Sequence, residues 1–489
     1  MAVSILKMRT TRMLIALLLG VLMYVIDPLK SGSFSATLLG VALAMIVLWV
    51  TEALSMPVVA LIPLFAFPLM GIQSIEETSK AYANPIIFLF LGGFLLGLAI
   101  EKWELHRRIA LRIIQFTGTS GDRIVLGFIL ATGFISLWLS NTATTMMMFP
   151  MALSVIHVLK QKQQLQGNLD HFSITLLMAI AYASNLGGIG TIIGTPPNVA
   201  YVAYIEKEIP GLQIGFMNWM LLCLPIGLLL MFALYLVMVK WLYPNRIRST
   251  PAMESLIDDE IRALGPITRS QKRVLWIFSI TVLLWMARIL INQVQPWFKL
   301  DDTIIALLGG FALFACPAHA NDRKDDSNKK EAHLLEWHDT QKLAWGILLL
   351  FGGGLALAGA LEKAGLIAEL GQWLAQYAGS GFWLILLITT LSILISEVMS
   401  NVAQVIVFAP VVTALAQAIH MDPLLLGIPM TLGASCAGML PMGTPPNAIV
   451  FASGQLRLRH MLLTGGIMNL ISILLITLFS WFLLPKILG

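Results

Sequence analysis

Charge is scarce in this sequence: Asp, Glu, Lys and Arg make up 12% of its 489 residues, against 58% apolar. A soluble domain carries about 25% charged residues, so the composition excludes one and places the chain in lipid. Cysteine is nearly absent. Cys223, Cys316 and Cys436 stand far apart in apolar stretches, which excludes a disulfide framework or a metal-ligand cluster and leaves reduced packing residues. The eight histidines lie in loops or at the ends of apolar runs, so neither a histidine relay nor a metal site is expected. A zinc-protease helix, a serine elbow and a Walker loop are also missing, which argues against an intramembrane enzyme. The formal charge of +5 does not point to nucleic acid, because the basic residues lie in short loops between apolar runs, where they orient spans.

What the chain does have, from residue 13 to residue 484, is apolar sequence in runs that cross a hydrocarbon core of about 30 Å. Residues 1–26 carry Lys7, Arg9 and Arg12 before an apolar run, yet no small-x-small cleavage site precedes Asp27-Pro28; the segment reads as a retained first span. Positively charged loops stay cytoplasmic. With the amino terminus inside, 24 of the 31 Lys and Arg residues fall in interior segments 1–12, 101–123, 157–170, 240–273, 320–342 and 454–460. Outside lie only Lys30, Lys80, Lys207, Lys299, Lys363 and Lys486, while Arg288, near a span end, is placed to snorkel. The result is a multi-pass protein of the cell inner membrane with its carboxyl terminus outside. Its eleven crossings centre near residues 20, 45, 64, 93, 185, 228, 283, 311, 352, 438 and 473. Two further apolar segments, 124–159 and 382–419, each start and finish on one side; each is a helical hairpin, either re-entrant or a pair of crossings. The charged stretches 243–273 and 320–342 are cytoplasmic connectors.

The two halves of the chain match. Gly92-Gly93 with Glu101-Lys102 recurs as Gly353-Gly354 with Glu362-Lys363. Ser136, Ser140-Asn141, Ala143 and Pro150 recur as Ser396, Ser400-Asn401, Ala403 and Pro410, and Gly194-Thr195-Pro196-Pro197-Asn198 recurs unchanged from Gly443 to Asn447. An odd number of crossings between the hairpins puts them on opposite faces, so the repeats are inverted. Such repeats exchange conformations around a central site in many secondary transporters.

Each Ser-Asn pair interrupts an apolar run at its middle, where it ends one helical arm and caps the next. The second arm then points free N–H groups at the turn. Together with the Ser140 and Ser400 hydroxyls and the Asn141 and Asn401 amides they suit a carboxylate. Paired prolines break the helix at the other motif. Carbonyls freed there, those of Gly194 and Gly443 above all, suit sodium, and Ser136 and Ser396, one turn before the motif serines, add hydroxyls. Any one motif is explained as well by helix packing; four in symmetric pairs favour a binding site. Glu52 and Glu397 could carry a proton or orient a ligand, although near span ends they could equally face water.

These residues resemble the divalent anion:sodium symporter family over nearly the whole chain, including Thr51-Glu52-Ala53 with Pro57. The resemblance implies an all-α membrane homodimer with two opposed re-entrant hairpins. It also implies a scaffold (1–117 and 246–379) against which a transport part (118–245 and 380–489) moves as an elevator. One sodium site would use Ser136, Ser140, Asn141 and the Gly194 carbonyl, and the second Ser396, Ser400, Asn401 and the Gly443 carbonyl. Substrate carboxylates would meet Ser140, Asn141, Thr142, Thr195 and Pro196 on one side and Ser400, Asn401, Thr444 and Pro445 on the other. The pattern departs at Val402, where the second Ser-Asn-Thr would have threonine, and at Gln404, which matches Thr144. The implied function is secondary transport of dicarboxylates of the succinate, malate or fumarate type, by sodium symport or by exchange. The alternatives are another anion (sulfate, citrate or an oxyanion) on the same fold, or a passive anion channel.

Overall fold

The computed structural model describes residues 2–26, 33–161, 168–209, 211–249, 251–295, 297–319, 333–376, 379 and 381–488. Lys30, Lys162, Asp27-Pro28 and residues 320–332 of the second connector lie outside them. The described chain is all-helical in its long elements. It opens with α1 (Ala2–Ile26) and α2 (Ser33–Thr51), which cross where Gly20 meets Gly40: a methyl group on Gly20 would lie 2.7 Å from the Gly40 carbonyl oxygen. Short helices α3 (Met56–Val59), α4 (Ile62–Leu69) and α5 (Ile75–Lys80) follow.

The first repeat is α6 (Pro85–Lys102), α7 (Leu105–Thr117), α8 (Gly121–Ser136), α9 (Asn141–Gln161), α10 (Leu169–Gly188), α11 (Pro196–Glu208) and α12 (Phe216–Tyr235), the last extended by a π-helical turn over Leu236–Leu242. Connecting helices α13 (Pro251–Ala263), α14 (Arg269–Val294) and α15 (Asp302–Ala315) lead to the second repeat. That repeat is α16 (Trp345–Lys363), α17 (Leu366–Ala375), α18 (Gly381–Ser396), α19 (Asn401–Ala418), α20 (Pro423–Ala434), α21 (Pro445–Phe451) and α22 (Leu458–Phe482), with α23 (Leu484–Leu488) at the end. Local chemistry sets several starts. Asn84 Oδ1 accepts from the Ile86 N–H at 3.0 Å before Pro85, and Asp422 Oδ1 accepts from the Leu424 N–H at 2.8 Å before Pro423. In both, a cap takes a free donor while proline removes one.

The repeats therefore run helix for helix, α6–α12 against α16–α22. Their cross-contacts are reciprocal: α10 packs on α21 and α20 on α11, while α9 packs on α21 and α19 on α11. Reciprocity of this kind is what a pseudo-twofold relation between halves requires. Ten of the eleven expected crossing centres fall in helices; the exception, residue 438, lies in the interruption between α20 and α21. Among the described residues nine helical stretches are long and apolar enough to cross a membrane, and two of them are the second hairpin arms α9 and α19. The first arms, α8 and α18, have 16 residues each, about 24 Å at the α-helical rise and short of a core of about 30 Å.

Arg288 corrects the sequence reading. It does not snorkel: its Nη1 lies 3.2 Å from Asp302 Oδ2, with the two side chains 13% and 9% exposed. Asp302 Oδ2 also accepts from the Phe216 N–H at 2.7 Å, and Trp285 Nε1 donates to the Asp302 carbonyl at 3.0 Å. The pair ties the start of α12 to α14 and α15, because two opposite charges out of water must meet each other.

Candidate functional site

The first hairpin turns where the Ser-Asn pair stands. Helix α8 ends at Ser136, α9 begins at Asn141, and Ser140 Oγ accepts from the Ala143 N–H at 3.3 Å. The Ser136 hydroxyl lies 2.8 Å from Asn141 Oδ1 and 2.7 Å from the Ser184 carbonyl oxygen, and so holds the asparagine amide in place from inside the turn. Between α10 and α11 the chain unwinds over residues 189–195. Thr191 Oγ1 donates to the Leu137 carbonyl at 2.5 Å and accepts from the Gly194 N–H at 3.0 Å. Asn198 Nδ2 faces the carbonyls of Thr191 and Ile189 at 2.8 and 3.2 Å.

Four neutral oxygens converge beside this break. A methyl group on Gly194 would lie 2.5 Å from the Gly188 carbonyl oxygen and 2.8 Å from that of Ser136. One on Gly188 would collide with Asn141 Oδ1 and lie 3.2 Å from the Gly194 carbonyl oxygen. Glycine at both positions keeps the space between the oxygens open, and neutral oxygen donors of broken-helix backbone suit sodium.

The second half repeats part of the scheme, although Ser400, unlike Ser140, makes no side-chain cap bond. Ser396 Oγ lies 2.7 Å from Asn401 Oδ1 and 2.5 Å from the Ala434 carbonyl oxygen, and Thr444 Oγ1 accepts from the Asn447 N–H at 3.4 Å. The unwound stretch is longer, residues 435–444, and a carboxylate holds it. Glu397 Oε1 accepts from the Gly438 and Met439 N–H groups and from Asn469 Nδ2, each at 2.8 Å; Oε2 accepts from the Leu440 N–H at 2.9 Å. Glu397 is thus not water-facing: it is 4% exposed, and the matching residue of the first half is Leu137. Glu52 ends α2 exposed, with left-handed φ of 48°.

Side-chain bonds cross between the halves. Asn141 Nδ2 donates to Asn185 Oδ1 at 3.2 Å, and Asn185 Nδ2 donates to Thr444 Oγ1 at 3.1 Å. Tyr182 OH donates to the Gly438 carbonyl at 2.6 Å. Asn185 was not among the sequence candidates, although Ser184-Asn185 is a further Ser-Asn pair; Thr145 Oγ1 bonds Ser184 Oγ at 2.9 Å. Of the candidates, Ser136, Asn141, Gly194 and Thr444 join this network directly. Ser396 and Asn401 pair at the second tip. Ser140, Thr142, Ser400 and Pro196 are half-buried, Thr195 and Gly443 buried, and Pro445 exposed. Gln404 Nε2 is committed to Ser392 on α18, 2.9 Å from its carbonyl oxygen and 2.6 Å from its hydroxyl. Val402 is half-buried beside Asn401. Cys223 and Cys436 are buried free thiols, and Cys316 is a free thiol at intermediate depth.

Comparison with known proteins identifies the family. The family model described as sodium:sulfate symporter transmembrane region matches residues 7–487. The chain is 36% identical to the "sodium-dependent dicarboxylate transporter SdcS" of Staphylococcus saprophyticus, over 97% of this chain and 92% of that one. It is likewise 36% identical to the protein of the same name in Staphylococcus aureus, over 98% and 93%. Among solved structures, the YdaH transporter of Alcanivorax borkumensis superposes with a TM-score of 0.56 at 13% identity, over 84% of this chain and 88% of that one. MtrF of Neisseria gonorrhoeae superposes with a TM-score of 0.55 at 14% identity, over 84% of each chain. At such low identity these two share the fold alone. The chain belongs to the sodium:sulfate symporter family and is a polytopic membrane transporter.

Proposed function

We propose that the chain is a sodium-coupled carrier of small dicarboxylate anions. One observation carries the reading: the Ser-Asn turn and the glycine-flanked helix break together present a cluster of neutral oxygens, linked through Asn185 to Thr444 of the other half. Such a site offers a small cation several oxygen ligands and no competing positive charge. The free N–H ends at the starts of α9 and α19, with Ser140, Asn141, Ser400 and Asn401, offer the complementary polarity to carboxylates. Relatives named for sodium-dependent dicarboxylate transport share 36% identity over nearly the full length, which favours dicarboxylate over sulfate.

The 16-residue first arms favour re-entrant hairpins. The proposal includes eleven crossings, an inside amino terminus and an outside carboxyl terminus in the inner membrane, a homodimer, and elevator motion of 118–245 and 380–489 against 1–117 and 246–379. Initial uptake of labelled succinate into proteoliposomes tests it. Uptake should need an inward sodium gradient, fail with potassium, and resist excess sulfate. Uptake that ignores sodium but requires internal succinate would replace symport with exchange.

A further inference from the structure

Helices α7 and α17 are counterparts, yet they seat on different hairpin arms. Helix α17 lies on α19, the second arm, so closely that a methyl group on Gly371 would lie 2.7 Å from the Ala414 carbonyl carbon. Helix α7 lies instead on α8, the first arm, with Gly127 against Ile114; a methyl group there would lie 3.0 Å from the Ile114 Cα. The space that α17 fills in the second half is left open in the first. It is a cavity of about 310 Å³ between α7, α8, α9 and α13, walled by Leu111, Ile114, Phe128, Met147, Met151 and Val155. Helix α13, which has no counterpart in the second half, is clamped over it. Arg107 pairs with Glu260, Gln115 Nε2 donates to Asp258 Oδ1 at 3.1 Å, and Arg108 donates to the Leu264 and Gly265 carbonyls at 3.0 and 2.9 Å.

The chemistry of the walls selects an occupant. An apolar cavity of about 150 Å³ takes one benzene, so this one takes roughly two rings, and small-molecule sites begin at about 300 Å³. Met147 and Met151 adapt to shape and make favourable sulfur contacts with aromatic rings. Arg107 and Glu260, paired with each other, line the cavity together with His106, whose Nδ1 lies 3.3 Å from the Ile100 carbonyl oxygen. A carbonyl only accepts, so Nδ1 carries the hydrogen and Nε2 is the acceptor. Burial lowers the imidazole's proton affinity and keeps it neutral.

We propose that this cavity binds a small aromatic hydrophobe of about two fused rings bearing one hydrogen-bond donor, and that its occupancy holds α7 in its present seat. If α7 came to cover α9 as α17 covers α19, the cavity would vanish, so such a ligand binds one arrangement of the repeat and shifts the population toward it. Exchange of arrangement between inverted repeats accompanies the change of facing, so occupancy slows transport without competing with the anion. The rate effect rests on the transport reading; the binding does not.

The probe is 1-naphthol, titrated by fluorescence into the full chain in lipid nanodiscs with empty nanodiscs subtracted, and added to sodium-driven succinate uptake. Binding should saturate at one per chain, and naphthalene, which lacks the donor, should bind about tenfold more weakly. Ser154→Phe and, separately, Met151→Trp fill the cavity and should each weaken binding at least tenfold while the other protects against failure of one to fold. Inhibition should lower the maximal uptake rate and leave the succinate concentration dependence unchanged. Wild-type binding in both filled variants, or relief of inhibition by succinate, would overturn the site. Binding with this pattern in a protein that transports nothing would sink the transport reading and leave the site standing.

Discussion

Replacing Glu397 with glutamine removes one buried elementary charge while keeping the shape of the second hairpin tip. The carboxylate receives three peptide N–H groups and one asparagine amide, and its Oε2 would lie 3.0 Å from a methyl group on Gly443. At a separation of about 5 Å, a cation held by the Gly443 carbonyl would gain about 3 kcal/mol from that charge at an effective dielectric near 20. Glu397→Gln should therefore weaken sodium activation by about two orders of magnitude. The local cost is smaller: the glutamine oxygen keeps the Gly438, Met439 and Asn469 donors, and its NH2 opposes the Leu440 N–H, at about 1–3 kcal/mol. Glu397→Leu, the residue type of the first half, abandons all four donors and should cost at least about 4 kcal/mol, enough to lower folded yield. The measurement is initial succinate uptake against external sodium in proteoliposomes, with folded protein checked by size-exclusion chromatography. A Glu397→Gln protein with unchanged sodium half-saturation and unchanged maximal rate would refute the reasoning.

Three further outcomes are expected. Asn185→Ala cuts both bonds that join Asn141 to Thr444; at about 1 kcal/mol each this amounts to roughly thirtyfold in uptake, and wild-type uptake would remove the link between the halves. Gly188→Ala places a methyl group against Asn141 Oδ1 among the four oxygens of the first break and should weaken, by about tenfold or more, the sodium activation of succinate binding measured by calorimetry, whereas Gly194→Ala, whose methyl group meets the Gly188 and Ser136 carbonyls of the backbone, should also lower the folded yield. Arg288→Met leaves the buried Asp302 carboxylate without its cation, a loss of about 3–5 kcal/mol read as a lower melting temperature, which adding Asp302→Asn, whose amide oxygen can still accept from the Phe216 N–H, should largely restore.

The features legible in the sequence were those whose cause is local. Pro196-Pro197 and Pro445-Pro446 stand in the first turn of α11 and α21, and Ser140 caps α9, so both helix restarts and both hairpin turns fall where residue chemistry puts them; seven and ten residues separate the ends of the preceding helices α10 and α20 from the prolines, earlier stops than the prolines alone require. The repeat was legible because the matched motifs keep their order. What escaped depends on long-range register. Asn185 looks like any polar residue inside an apolar helix until folding brings Thr444, 259 positions away, to its amide. Arg288 and Asp302 are 14 positions apart, and only the turn between α14 and α15 makes them partners. Glu397 sits next to Ser396 in sequence, but its four donors come from residues 438–440 and 469, and an intramembrane carboxylate alone does not reveal whether it meets water, a ligand or backbone.

The two halves satisfy their broken backbones by different means, and on the proposed function that difference should order the binding events. Seven unwound residues in the first half are held by neutral groups: Thr191 bridges Leu137 and Gly194, and Asn198 takes the carbonyls of Ile189 and Thr191. Ten unwound residues in the second half leave three consecutive N–H groups pointing inward, and Glu397 meets them with a full negative charge. A dicarboxylate approaching the empty site meets that charge as a like charge; with sodium beside Gly443 it meets none. Sodium should therefore enter the second half before the anion. It follows that in sodium-free buffer Glu397→Gln binds succinate more tightly than the unaltered protein, while in saturating sodium the two converge. Equal succinate affinity without sodium would mean that the N–H groups already neutralise the carboxylate, and the order of binding would have to come from the neutral oxygens instead.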